Sequence, residues 1–263
     1  MAELPDVLYV PDGPGRFAPT ELTRGPWSPD AQHGGAPAAL LGGLIERFEP
    51  GGNRVARLTV ELLRPVPLTP LAVHLQMLRP GKRVQLVQAS LLSGDQEVVR
   101  ATGLRVREQH LPISDPDPEA VPSMGEASEF GFSEDNVVMF GHAFEITRER
   151  DWSPGAEAPG PQLAWFRLRA SVVAGQTPSP LQRVAAAADF PNGISSIVPW
   201  AGDWLFINPD LTITLARPPD GEWVGLDART VPSDDGVGFA EARVFDERGR
   251  IGRATQSLLF DRT

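Results

Sequence analysis

A chain of 263 residues suits one large domain or two small ones, because compact domains commonly run ~100–150 residues. Its 24 Lys and Arg against 34 Asp and Glu leave a formal charge of −10, which argues against a nucleic-acid or anionic-membrane surface, since both need basic residues to meet phosphate. With 41% apolar residues, 22% charged residues and no cysteine, the chain reads as a soluble globular protein. It has no disulfide, thiolate metal site or cysteine nucleophile, and this is compatible with a reducing cytoplasm.

The N-terminal MAELPDVLYVPDG is acidic and lacks an apolar run, so no signal peptide is expected there. From His33 to Phe48, Leu41, Leu44, Ile45 and Phe48 recur at i, i+3, i+4 and i+7, which predicts one amphipathic helix with Pro37 in its first turn. The period then falls to two. Leu58, Val60 and Leu62 alternate with polar residues, Val73, Leu75 and Met77 follow, Arg79-Pro80-Gly81-Lys82 turns the chain, and strands return over Val84–Leu92 and Val98–Arg107.

Residues 113–130, ISDPDPEAVPSMGEASEF, carry five acids, three prolines and no base, the composition of a linker wrapped over the surface or partly mobile. Beyond it the order repeats, with a helix near 179–190 and strands near 205–216, 222–231, 237–246 and 250–261. No stretch of 18 uncharged apolar residues occurs, so no membrane span is expected.

The repeat is also visible in the letters. LTVELLRP at 58–65 and LTITLARP at 211–218 share five of eight residues, and the offset, 211 − 58 = 153, also brings Arg100-Ala101-Thr102 onto Arg253-Ala254-Thr255. Two matches in one register indicate a duplication, with halves at 1–112 and 131–263. One helix followed by antiparallel strands, twice over, predicts an α+β fold.

Local motifs exclude several chemistries. Gly236-Val237-Gly238-Phe239-Ala240-Glu241 starts like a dinucleotide fingerprint but ends in Glu between strands, where it fits a hairpin turn. Gly193-Ile194-Ser195-Ser196-Ile197 lacks the last glycine of a nucleophile elbow. The histidines at 33, 74, 110 and 142 are too widely spaced for a short metal motif, so no histidine metal centre is expected.

Polar residues on faces that should be buried are more informative. Thr230 shares a strand face with Leu226 and Ala228, and Gln256 shares one with Ala254, Leu258 and Phe260. Asp189 follows four alanines near the edge of the second helix's apolar stripe, an expensive place for a carboxylate unless it serves as a cap or sits in a hydrogen-bond network. At the first helix, His33-Gly34-Gly35 is either a flexible turn into the helix or a place where bare backbone N–H groups meet a ligand.

The helix opening in His33-Gly34-Gly35, the Arg79-Pro80-Gly81-Lys82-Arg83 turn, the closing Arg253-Ala254-Thr255-Gln256 strand and the duplication together resemble the double-hotdog acyl-CoA thioesterases of type II. The resemblance implies two tandem hotdogs, each a helix wrapped by an antiparallel sheet, pairing as a pseudo-dimer that self-associates further. It also implies cofactor-free hydrolysis of an acyl-CoA thioester. Asp189, Thr230 and Gln256 match the family's water-activating residues, with His33, Gly34 and Gly35 at the carbonyl.

Gly103 stands at the repeat position of Gln256 (256 − 153 = 103), so one polar site per chain is expected. Phe190-Pro191-Asn192-Gly193 departs from the family's segment after the aspartate, which bears on substrate class. Arg79, Lys82 and Arg83, the densest basic cluster, are either a solvated turn or a seat for CoA phosphates. Two rivals stay open: a hotdog hydratase or dehydratase, for which His33 lacks an acid one turn later, and a non-catalytic acyl-CoA or lipid binder.

Overall fold

The structure, a computed structural model, describes residues 4–49, 51–129, 137–148, 160–199 and 203–262. Two strands that the sequence reading did not anticipate, β1 (Val7–Pro11) and β2 (Arg16–Pro19), precede helix α1 (Gly35–Arg47). Strands β3 (Asn53–Leu62), β4 (Leu71–Arg79), β5 (Val84–Ser93) and β6 (Gln96–Arg107) then follow in the expected order.

In the second half, β7 (Ala127–Glu129), β8 (Phe144–Arg148), β9 (Gln162–Leu168) and β10 (Ser171–Val173) come before the helix. The expected helix near 179–190 is two pieces, α2 (Pro180–Ala187) and the single turn α3 (Pro191–Ile194). The expected strand near 205–216 is also divided, into β11 (Trp204–Ile207) and β12 (Asp210–Leu215). Proline explains both breaks: Pro191 has no N–H to continue the helical ladder onto Ala187 O, and Pro209 has none for a strand ladder. Strands β13 (Trp223–Pro232), β14 (Val237–Asp246) and β15 (Gly249–Arg262) complete the chain.

Fourteen strands form one continuous path, β10-β1-β2-β4-β5-β6-β3-β12-β15-β14-β13-β9-β8-β7, and β11 pairs with β15 beside it. Outward from the centre, β3-β6-β5-β4-β2-β1 is matched by β12-β15-β14-β13-β9-β8, so the halves have the same strand order.

They meet at the antiparallel pair β3 and β12, where Thr59 faces Thr212, Leu58 faces Ile213 and Val60 faces Leu211. Each residue one place from Thr59 therefore pairs with the repeat copy of the residue on the other side. That reciprocal pairing is what a two-fold axis through Thr59 and Thr212 produces. Their hydroxyls lie 3.4 Å apart. Joining two sheets here removes two free edges, and one apolar core containing Leu58, Val60, Leu211 and Ile213 runs through both halves. This is the double hotdog.

α1 and α2 pack against each other inside the curved sheet, and glycines let them come close. A methyl group on Gly35 would lie 2.6 Å from the Ala186 carbonyl oxygen, nearer than any side chain tolerates. The end of α1 is held by the fully buried Arg105 of β6, whose guanidinium donates to the carbonyls of Ile45 at 3.2 Å and Glu49 at 2.9 Å. The start of α2 is a capping box: Ser179 Oγ accepts from Gln182 N, and Gln182 Oε1 accepts from Ser179 N.

The 153-residue offset holds for β3 to β6 against β12 to β15 and fails for β1, β2 and the helices, since Gly35 would map to 188, past the end of α2. In the acidic linker, Glu119 accepts from Arg243 and Arg250, which lays that segment over the outer side of β14 and β15. The expected start of the second half, at residue 131, lies outside the described residues.

Candidate active site

Asp189 sits in the turn between α2 and α3, past the α2 cap at Ala188, so it is not on the helix stripe where the sequence pattern put it. It is only 7% exposed. A carboxylate there needs donors, and tertiary structure supplies them. Oδ1 accepts from Gln256 Nε2 at 2.9 Å and from Asn208 Nδ2 at 2.8 Å, while Oδ2 lies 3.0 Å from His33 Nδ1.

Gln256 points inward from β15, as its alternation with Ala254 and Leu258 requires, and is 1% exposed. Its amide is bonded at both ends: Nε2 also reaches the Asp189 carbonyl at 3.3 Å, and Oε1 accepts from Asn192 N at 3.1 Å. An unpaired amide would cost ~1–3 kcal/mol, so these bonds fix its orientation.

Asn208, which the sequence reading did not single out, occupies the break between β11 and β12. The available signal was Asn208-Pro209 inside a strand pattern, a point where the ladder must open and a side chain can leave the sheet. Pro209 in turn accepts from Leu62 N at 2.7 Å, tying the break to the first half.

The first half contributes the other wall. Gly34 caps α1 and Gly35 begins it. A methyl group on Gly34 would fall 2.7 Å from Asp189 Oδ2 and 2.8 Å from Leu62 Cδ1, so glycine is what lets the helix start reach the carboxylate. The Gly34 N–H has no acceptor among the described residues, whereas the Gly35 N–H donates to His33 Nδ1 at 3.1 Å. His33 itself is held by its backbone N–H to Thr23 O at 2.8 Å and by rings of Phe140 and Phe190, each stacked 4.8 Å away.

Thr230, expected beside the aspartate, is buried on β13 as its strand face predicted, but its hydroxyl bonds Ser195 Oγ at 2.8 Å. Ser195 donates its own proton to Pro191 O at 2.8 Å, so Thr230 is the donor in that pair and braces α3, leaving Asn208 as the side chain that joins Gln256 at Asp189.

Arg79, Lys82 and Arg83 are exposed at the β4–β5 turn, with no carboxylate in ion-pair reach among the described residues. The sheet register puts Leu62, beside Gly34, level with Val99, Leu91 and Val73. Arg79 lies six residues farther along β4, roughly 20 Å at ~3.3 Å per residue. The structure thus gathers His33, Gly34, Gly35, Asp189 and Gln256 and sets the basic turn at the other end of the sheet. Among the described residues, no three His, Asp or Glu side chains converge as a metal site, and no helix is long and apolar enough to cross a membrane.

Family profiles for the acyl-CoA thioesterase N-terminal and C-terminal domains match residues 23–106 and 116–260. The chain belongs to the acyl-CoA thioesterase family. A search of curated proteins finds no match. Among solved structures, a candidate thioesterase II of Thermobifida fusca is 18% identical, with 97% of this chain and 95% of that one covered and a TM-score of 0.71. The acyl-CoA thioesterase II TesB2 of Mycobacterium marinum is 16% identical over 89% and 90%, with a TM-score of 0.67. A hot dog protein of Alicyclobacillus acidocaldarius is 14% identical over 96% and 95%, at 0.71. At these identities the likeness is one of fold, and it agrees with the double hotdog. The family profiles carry the enzyme assignment: the chain is a thioesterase.

Proposed function

We propose that Asp189 is the general base for hydrolysis of an acyl-CoA, RCO–S–CoA + H₂O → RCOOH + HS–CoA. The observation that supports this is the saturation of Oδ1 by two amide donors. A proton taken from water then goes to Oδ2, the oxygen that faces the start of α1. Water attacks the thioester carbon as Oδ2 accepts its proton, and the forming oxyanion lies at the Gly34 N–H, at the positive end of α1. Collapse breaks the C–S bond, and the proton passes from Asp189 to the departing thiolate.

Gln256 and Asn208 orient the carboxylate, and Thr230 steadies the turn that carries it, through Ser195 and Pro191. A self-associating, cytoplasmic protein remains part of the proposal.

A panel of acyl-CoA substrates with a thiol-trapping readout tests it. Turnover should fall ~10²–10⁴-fold in kcat for Asp189→Asn, with KM nearly unchanged, because the amide keeps the shape but takes no proton. Saturable binding without turnover by the unaltered protein would turn the assignment toward an acyl-CoA binder. CoA phosphates at Arg79, Lys82 and Arg83 require the CoA part of the substrate to extend along β4. Charge reversal at all three should then raise KM for acyl-CoA and spare a short thioester without the nucleotide, and equal loss on both would remove that role.

A further inference from the structure

His33 Nδ1 stands between two partners that cannot both be served. It lies 3.1 Å from the Gly35 N–H and 3.0 Å from Asp189 Oδ2. A ring nitrogen carries either a proton or one in-plane lone pair. With the lone pair it accepts from Gly35 and points that pair at a carboxylate oxygen. With the proton it donates to Oδ2, and Gly35 loses its acceptor.

We infer that His33 is a positioning residue whose tautomer arms the site: as Nδ1–H it holds Asp189 Oδ2, at the expense of the bond from the Gly35 N–H. This rests on Asp189 acting as the base. The ionised carboxylate selects the Nδ1–H form, since Oδ1 is already filled by Gln256 and Asn208 and Oδ2 has no other donor among the described residues.

The Gly34 N–H stays the donor at the start of α1. Oδ2 keeps its second lone pair for the proton of water. The exchange moves one proton from Nε2 to Nδ1 and changes no net charge. Phe140 and Phe190, each 4.8 Å from the ring and 5.7 Å from one another, pack beside it and limit its rotation.

The test is nitrogen-15 correlation spectroscopy of the imidazole rings, with the His33 signals assigned by their loss in His33→Asn. The expected result is a protonated Nδ1 in the unaltered protein and a bare Nδ1 with protonated Nε2 in Asp189→Ala, where Gly35 is the only partner left. A bare Nδ1 in the unaltered protein, or the same tautomer in both, would overturn the inference.

Kinetics give a second readout. His33→Ala should lower kcat about 10- to 100-fold with a smaller change in KM, the scale of a lost hydrogen bond to a charged group. His33→Asn, which offers an amide N–H close to the Nδ1 position, should recover most of that. Full activity in His33→Ala with Asp189→Asn inactive would discard the role of His33 and leave the thioesterase reading standing. Full activity in both would discard the site itself.

Discussion

The two halves share their strand order and differ at inward positions of β6 and β15, one of which bears on the site. Where the second half has Gln256 on β15, the first half has Gly103 on β6, and Ile45 of α1 fills the space that a side chain would take. Their helices differ in the same sense. α1 runs 13 residues with an apolar floor, whereas α2 stops after 8, and the turn that follows carries Asp189. The sheet was thus kept for pairing, and the two helix ends were free to diverge. One presents glycine N–H groups, the other a carboxylate, and the site exists only where the halves meet.

Substitutions at this junction can break or sharpen that contrast. The largest effect beyond Asp189 itself is expected for Gly34→Ala, whose methyl group would press on Asp189 Oδ2 and Leu62. A displacement of about 1 Å at reacting groups costs ~10²-fold in rate, so kcat should fall by that order while the folded state persists, as read by steady-state kinetics beside circular dichroism. An undiminished kcat would separate the start of α1 from the chemistry.

Gly103→Ala should act on the fold instead. Overpacking against Ile45 is expected to cost ~1–3 kcal/mol in a chemical denaturation series, and pairing it with Ile45→Ala should cost less than the two single changes summed. Additive losses would show that Ile45 is not what fills the first half's empty place. Asn208→Ala should have the smallest effect. It removes one of two donors to Oδ1, worth ~1.5 kcal/mol or about tenfold in kcat, and leaves Gln256 in place. A loss as large as that of Asp189→Asn would make Asn208 more than an orienting group.

Much of the fold was legible because periodicity survives translation into structure. The α1 stripe, the alternating strands β3 to β6 and β13 to β15, and the inward faces of Thr230 and Gln256 all stand where their spacing put them. Strands β1, β2 and β7 to β10 were missed. Their buried positions include runs such as Leu163 to Phe166, apolar on both faces, and such runs carry no period-two signal.

Within the site, burial of a polar residue could be read from the sequence, but its partner could not. Thr230 was correctly read as facing inward, and whether its hydroxyl met Asp189 or Ser195 depended on where α3 turned after Pro191. Asn208 was hidden because its value comes from contact with a residue 19 positions away across a sheet break.

The sequence alone determined that this chain is a duplicated α+β protein with two polar residues buried on strands of its second half, because side-chain alternation and a repeated register are local properties of the chain. Tertiary structure decided which of those residues meet. The carboxylate of Asp189, the amides of Gln256 and Asn208 and the ring of His33 lie on four separate segments, and only the pairing of β3 with β12 and the packing of α1 on α2 bring them within hydrogen-bond distance.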